Sequence, residues 1–232
     1  VVYLAGRAFM SSRASFLAAT LLGSDYLHIT HSHYATLDVA AGFWTALCLC
    51  FSFAWWRRGG VTRGLVAGLC AGLAGAVKYN AALVAIIPLA IPFLTWPSAR
   101  GLAKITFPSA GLVLGFLGGN PFLLMRWDSF LAGISSVLQH YGTAQPGFEG
   151  LHNWQWYLGI LFTSADAPTA AICLAGLLAL IVREPRRGVL LLLFPAAYLA
   201  LMSTFVVRFE RNLIPVLPFL ALAGGWLLDA LA

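Results

Sequence analysis

Long apolar runs separated by short polar breaks organise this chain from end to end. A membrane-crossing helix needs about 20 apolar residues. Runs at 36–56, 61–77, 81–96, 103–125, 167–182, 188–206 and 212–231 approach or reach that length, and a shorter run, 14–30, carries Asp25 and His28 near its end. The pattern predicts an all-α fold: a polytopic transmembrane bundle of about seven or eight membrane helices, with interfacial helices on one side. It reads as one transmembrane domain over residues 1–232, with a polar loop over 126–166. Within that loop Gln145-Pro146-Gly147 predicts a turn. Trp154, Trp156 and Tyr157 suit a membrane interface, and 151–166 reads as an interfacial or re-entrant piece. Small residues recur every fourth position at Gly64, Gly68, Gly72 and at Gly111, Gly115, Gly119. This spacing lets two helix backbones approach closely.

Composition narrows the class. Hydrophobic residues make up 60% of the chain and charged ones 9%, with a mean hydropathy of +0.85. So few charges cannot cover a soluble surface, and so much apolar surface excludes a disordered chain. The net charge of +6 is spread as short clusters between the runs, so nucleic acid is not the expected partner. Cys48, Cys50, Cys70 and Cys173 lie inside apolar runs, which argues against a disulfide framework. The chain begins at Val1 without a signal-like segment and ends at Ala232 inside an apolar run, so it reads as a fragment.

The loops give a sidedness. With Arg7 and Arg13 placed in the cytoplasm, 10 of the 14 cations fall on that face, as the positive-inside tendency requires. Lys78, Arg126, Arg208 and Arg211 fall on the other. All five histidines join them, as do Asp25, Asp38, Asp128, Glu149, Asp166 and Glu210. Chemistry is therefore expected on the extracytoplasmic side of a multi-pass plasma-membrane protein, the bacterial inner membrane in particular.

Ionisable groups at a membrane edge are costly, which makes each a functional candidate. The first cluster is HSHYATLD, 31–38. If 28–38 were one helix, His28, His31, Tyr34 and Asp38 would share a face, with His33 pointing elsewhere. Asp38 is the candidate catalytic carboxylate; the plain alternative is N-capping by Thr36 or Asp38. His31-x-His33 with Asp38 has metal-ligand chemistry, but its spacing is not diagnostic. The second cluster, Lys78-Tyr79-Asn80, places a lysine against the charge bias. It either snorkels to headgroups or binds a lipid phosphate. The third is Arg208-Phe209-Glu210-Arg211-Asn212. Arg208 and Arg211 share a face if the turn is helical. They are either a solvated, ion-paired loop or a site for an anion. No nucleotide-binding loop, nucleophile elbow or HExxH motif is present.

The runs HSHYATLDVAAGFW, GLCAGLAGAVKYNAALVAIIPL and RFERNLIPVLPFLALAGGWLL, in that order, resemble membrane glycosyltransferases of the C-type superfamily. The similar branch is the dolichyl-phosphate-mannose–protein mannosyltransferase-like family, which includes the aminoarabinose transferases of lipid A. The resemblance implies inverting transfer of a hexosyl or pentosyl group from a polyprenyl-phosphate donor to a protein, lipid or glycan acceptor on the outer face. It implies Asp38 as a site carboxylate. Lys78, Arg208 and Arg211 would bind the donor, with His31, His33, Tyr34, Tyr79 and Asn80 as further substrate-binding residues. No cofactor is required, and a divalent metal stays open. In that family the principal catalytic carboxylate lies in the first external loop. This chain reads as starting in the second helix, so that acid is missing and the fragment alone is expected to be inactive. The family's C-terminal part is likewise either cut short here or belongs to a short variant. The competing functions are a transporter or flippase for a lipid-linked or anionic solute, and a structural subunit. Either way, the three clusters are expected to converge at one rim.

Overall fold

The computed structural model describes residues 1–96, 98–143, 150, 152–163 and 166–232. The predicted turn at 145–147 and the acid at 149 lie outside them. Among the described residues the secondary structure is helical, with no strand. The helices are α1 (Val2–Arg7), α2 (Ser12–Gly23), α3 (Tyr26–His33), α4 (Leu37–Arg58), α5 (Val61–Val77), α6 (Ile86–Thr95), α7 (Ala99–Leu102) and α8 (Thr106–Gly119). They continue as α9 (Trp127–Gly142), α10 (Asn153–Thr163), α11 (Ala167–Arg183), α12 (Pro185–Ser203) and α13 (Leu217–Leu231). The expected all-α membrane bundle is what the chain forms.

Among the described residues, three helical stretches are long and apolar enough to cross a membrane: Leu37–Arg58, Ala99–Gly119 and Pro185–Ser203. Asn153–Phe162 with Ala167–Arg183 makes a fourth as a bent pair. Val61–Val77, Tyr79–Thr95 and Leu217–Leu231 are apolar but shorter. Several predicted runs are shortened at the same end. The 14–30 run splits at Ser24–Asp25, the 81–96 run opens with a 3-10 stretch over Tyr79–Ala85, and the 212–231 run follows a 3-10 turn over Glu210–Leu213. Unwound backbone at membrane depth is tolerated where it is buried in protein or lines a cavity. Here it builds one end of the bundle.

The core runs the length of the bundle. Trp55, Phe53, Phe194, Tyr198 and Phe219 are its largest fully buried side chains. The small-residue stripes do what their spacing predicts. An added Cβ on Gly68 would lie 2.0 Å from the Pro108 carbonyl oxygen, and one on Gly111 would lie 2.0 Å from that of Leu65. Gly72 and Gly115 meet the Leu112 and Leu69 carbonyls as closely, at 2.2 Å each. So α5 and α8 touch backbone to backbone. Gly176 and Gly225 bring α13 onto α11 and α2 in the same way. All four cysteines are free thiols.

α4 serves as a ruler for the two ends. Its 22 residues span about 33 Å at 1.5 Å per residue. At its C-terminal end Arg57 donates to the Ala8 carbonyl. Nearby, Ser11 and Arg13 meet Asp229, and Glu184 accepts from Trp226 and pairs with Arg187. This end holds cations that the sidedness argument groups together. At the N-terminal end lies Asp38.

α9 is amphipathic and carries no buried residue. Trp127, Phe130, Leu131, Ile134, Val137, Leu138 and Tyr141 fall on one stripe, the pattern of an interfacial helix. It is anchored at its two ends. Phe130 packs edge-on against Tyr79 and Phe116, while Tyr141 packs on Phe205 and Phe209 and its carbonyl accepts from Val206. The rings of α10 divide between surface and interior. Trp154 is exposed, but Tyr157 is buried and Trp156 is half-buried beneath Arg208. Tyr157 and Trp156 face inward on the side of α10 that meets the 205–213 segment.

Candidate functional site

The backbone breaks between α3 and α4, so 28–38 is not one helix. Ala35 has φ 50, a left-handed conformation that is costly for a residue with a Cβ. Thr36 is the N-cap position of α4, yet its side chain makes no capping bond and its hydroxyl is buried without a partner. Asp38 therefore is not a cap. It sits in the first turn of α4, 4% exposed, and is aimed across the bundle.

Its partners arrive from two other breaks. α5 ends at Val77, and Lys78 leaves the helix in an extended conformation. The Lys78 ammonium donates to Asp38 Oδ1 at 2.5 Å. From the Glu210–Leu213 turn, Arg211 Nε lies 3.8 Å from Asp38 Oδ2. One buried carboxylate thus takes a cation on each oxygen, and the Lys78 side chain stays 17% and that of Arg211 42% exposed. Two cations held this way can neutralise an anion presented at the mouth.

A polar shell surrounds the trio. Asn212, 1% exposed, accepts from Lys78 Nζ through Oδ1 at 2.8 Å and donates through Nδ2 to the Tyr157 hydroxyl at 2.9 Å. The Tyr141 hydroxyl at the end of α9 hydrogen-bonds Arg211. The 208–211 segment is not helical throughout, so the two arginines diverge. Arg208, buried, donates to Asn153 Oδ1 at 3.2 Å and lies over the Trp156 ring. Asn153 in turn donates to the Phe205 carbonyl. Arg208 ties α10 to the loop; Arg211 reaches Asp38.

The remaining candidates spread around this centre. His31 is buried, 3.6 Å from Glu210, with its ring edge-on to Tyr34. His33 points away and bonds the Ile29 carbonyl at 2.9 Å. Tyr34 is exposed. Tyr79 leans on Phe130, and Asn80 donates to Met202 Sδ. His31, His33 and Asp38 do not come together: among the described residues no group of three or more His, Cys, Asp or Glu could hold a metal ion. The sequence places Asn212 in its cluster without a role and offers the aromatic residues of 126–166, Tyr141 and Tyr157 among them, only as rings for sugar stacking; Asn153 it does not mark. The one signal for Asn212 was its place beside Arg211.

A cavity of about 260 Å³ lies beside the site, lined mainly by apolar side chains of α2, α10, α11 and α13 together with Asp25, Asp166 and Glu210. Asp25 and Asp166 both serve the start of α3. Asp25 accepts the His28 N–H at 2.7 Å, and Asp166 accepts that of Tyr26 at 3.0 and 3.1 Å. Burial, with Asp166 adding repulsion, pushes the Asp25 carboxyl up to about 6 against the pull of the His28 and Leu27 N–H groups. The folded state then holds a proton that the unfolded chain has released. Stability should be greatest below pH 4 and fall as pH rises towards about 6. Asp25→Asn keeps a capping oxygen and should flatten that slope in thermal unfolding between pH 4 and 7. An unchanged slope would place the titration elsewhere.

Residues 1–106 match the family model described as dolichyl-phosphate-mannose-protein mannosyltransferase. No curated protein and no solved structure matches the chain. The matched part is somewhat under half of the sequence and contains Asp38 and Lys78, and it bears out the resemblance over the first two of the three runs. It supports a membrane glycosyltransferase in general terms, and the apolar helices support a multi-pass membrane protein.

Proposed function

We propose that this chain carries the donor side of a transferase that moves a sugar from a polyprenyl-phosphate carrier to an acceptor at the extracytoplasmic face of the plasma membrane. The observation that supports it is the convergence of Asp38, Lys78 and Arg211 at one rim. In such a transfer the acceptor oxygen attacks the anomeric carbon, the bond from that carbon to the phosphate oxygen breaks, and configuration inverts. The departing polyprenyl phosphate keeps the electron pair, and the acceptor proton passes to a carboxylate. A phosphate leaves without a proton donor if cations meet its growing charge. Lys78 and Arg211 supply them, and Asp38 holds them at a fixed spacing. A hydrophobic carrier presents its phosphate at the membrane edge, where these groups lie. Transport fits less well, because charges that bind a cargo sit near the midplane of a transporter. Asp38 is in the first turn of its helix.

The test is transfer from a radiolabelled polyprenyl-phosphate sugar into acceptor membranes by the full-length protein. Arg211→Ala is expected to raise the KM for donor and lower kcat/KM by about 100-fold, the scale of a lost charge-assisted contact to developing charge. Unchanged kcat/KM would remove Arg211 from the donor site.

A further inference from the structure

We infer that Asn212, locked by the Tyr157 hydroxyl, is a positioning residue that aims the Lys78 ammonium at the donor phosphate. This rests on the reading of Lys78 as a phosphate ligand. An ammonium has three N–H donors. Asp38 Oδ1 takes one and Asn212 Oδ1 takes another. One donor is left on a side chain that is still 17% exposed, and it points where neither partner lies. A lysine held by Asp38 alone could swing about that single contact. A second acceptor at 2.8 Å fixes the head, and with it the direction of the remaining N–H.

The amide can do this because its own orientation is set. The reverse orientation would press its N–H2 group against the ammonium. Instead the Nδ2 group donates to the Tyr157 oxygen at 2.9 Å, and both residues are buried, Asn212 at 1% and Tyr157 at 2% exposure. The chain Tyr157–Asn212–Lys78–Asp38 links α10, the Glu210–Leu213 turn, the end of α5 and the start of α4. A connected network of this kind, satisfied except for the one outward N–H of Lys78, fixes geometry more than isolated pairs do.

The experiment measures binding of undecaprenyl phosphate, with undecaprenol as the phosphate-free control, to the full-length protein in detergent. Lys78→Ala should cut the preference for the phosphate sharply, leaving the share that Arg211 supplies. Asn212→Leu should weaken binding about tenfold, and Tyr157→Phe, nearly isosteric, by a smaller factor. Added to Lys78→Ala, neither should cost anything further, since Asn212 acts through Lys78. If Asn212→Leu and Tyr157→Phe bind like wild type while Lys78→Ala does not, the inference is overturned and the phosphate reading survives. If the Asn212→Leu loss persists in full on Lys78→Ala, Asn212 acts independently and the inference fails. If Lys78→Ala itself binds like wild type, the phosphate reading falls first.

Discussion

Replacing Lys78 with Met is expected to destabilise the protein by up to about 3–5 kcal/mol, the cost of breaking a buried ion pair, lessened by the Arg211 that remains. Asp38, 4% exposed, would keep Arg211 at 3.8 Å as its one cation among the described residues. Asn212 would also lose its donor. Adding Asp38→Asn should recover most of that loss, because an amide tolerates burial and Met fills the volume of the lysine stem. Denaturant or thermal unfolding in detergent measures both variants. A single variant that melts with wild type would mean that Asp38 is not desolvated as the structure places it.

The second large effect lies between α5 and α8. Gly68→Leu and Gly111→Leu each force a side chain into a neighbouring backbone carbonyl, where even a Cβ would sit at 2.0 Å. Backbone cannot swing aside as a side chain does, so the helices must separate. Overpacking typically costs about 1–3 kcal/mol, and more where relief is blocked. The functional cost should be larger. α5 delivers Lys78, and a misplacement of about 1 Å can lower a rate about 100-fold. Sugar transfer by the folded fraction is thus expected to fall by about that factor, read beside the melting temperature. Gly118→Leu, with open space around it, is the control and should change neither.

These two cases also show what was legible in the sequence. The four-residue spacing of glycines forecasts a helix contact because only close backbones need it, and that contact forms. Lone cations and acids at the ends of apolar runs mark the rim, since burying them at random is too costly. Periodicity could not say that the chain leaves the helix at Ala35, because nothing in an alanine announces φ 50. Nor could it separate Arg208 from Arg211. That depends on the irregular backbone before Glu210, which sends one arginine to Asn153 and the other to Asp38. Tyr157 and Trp156 read as interface aromatics by composition alone. Only the fold turns Tyr157 inward to a residue 55 positions away.

The run lengths carried a further hint. The 81–96 and 212–231 runs open at the rim with 3-10 turns beside Lys78 and Arg211, while Asp38 stays in the first turn of a full-length α4. Helix breaks and charges coincide for one reason: freed backbone groups and ionised side chains both need polar company.

The most direct measurement is sugar transfer by the Asp38→Asn, Lys78→Met double variant of the full-length protein, beside wild type and with folding checked on the same sample. A folded protein that has lost transfer is expected, because the pair is replaceable for stability and not for holding a departing phosphate. A folded double variant that transfers sugar at the wild-type rate would contradict it.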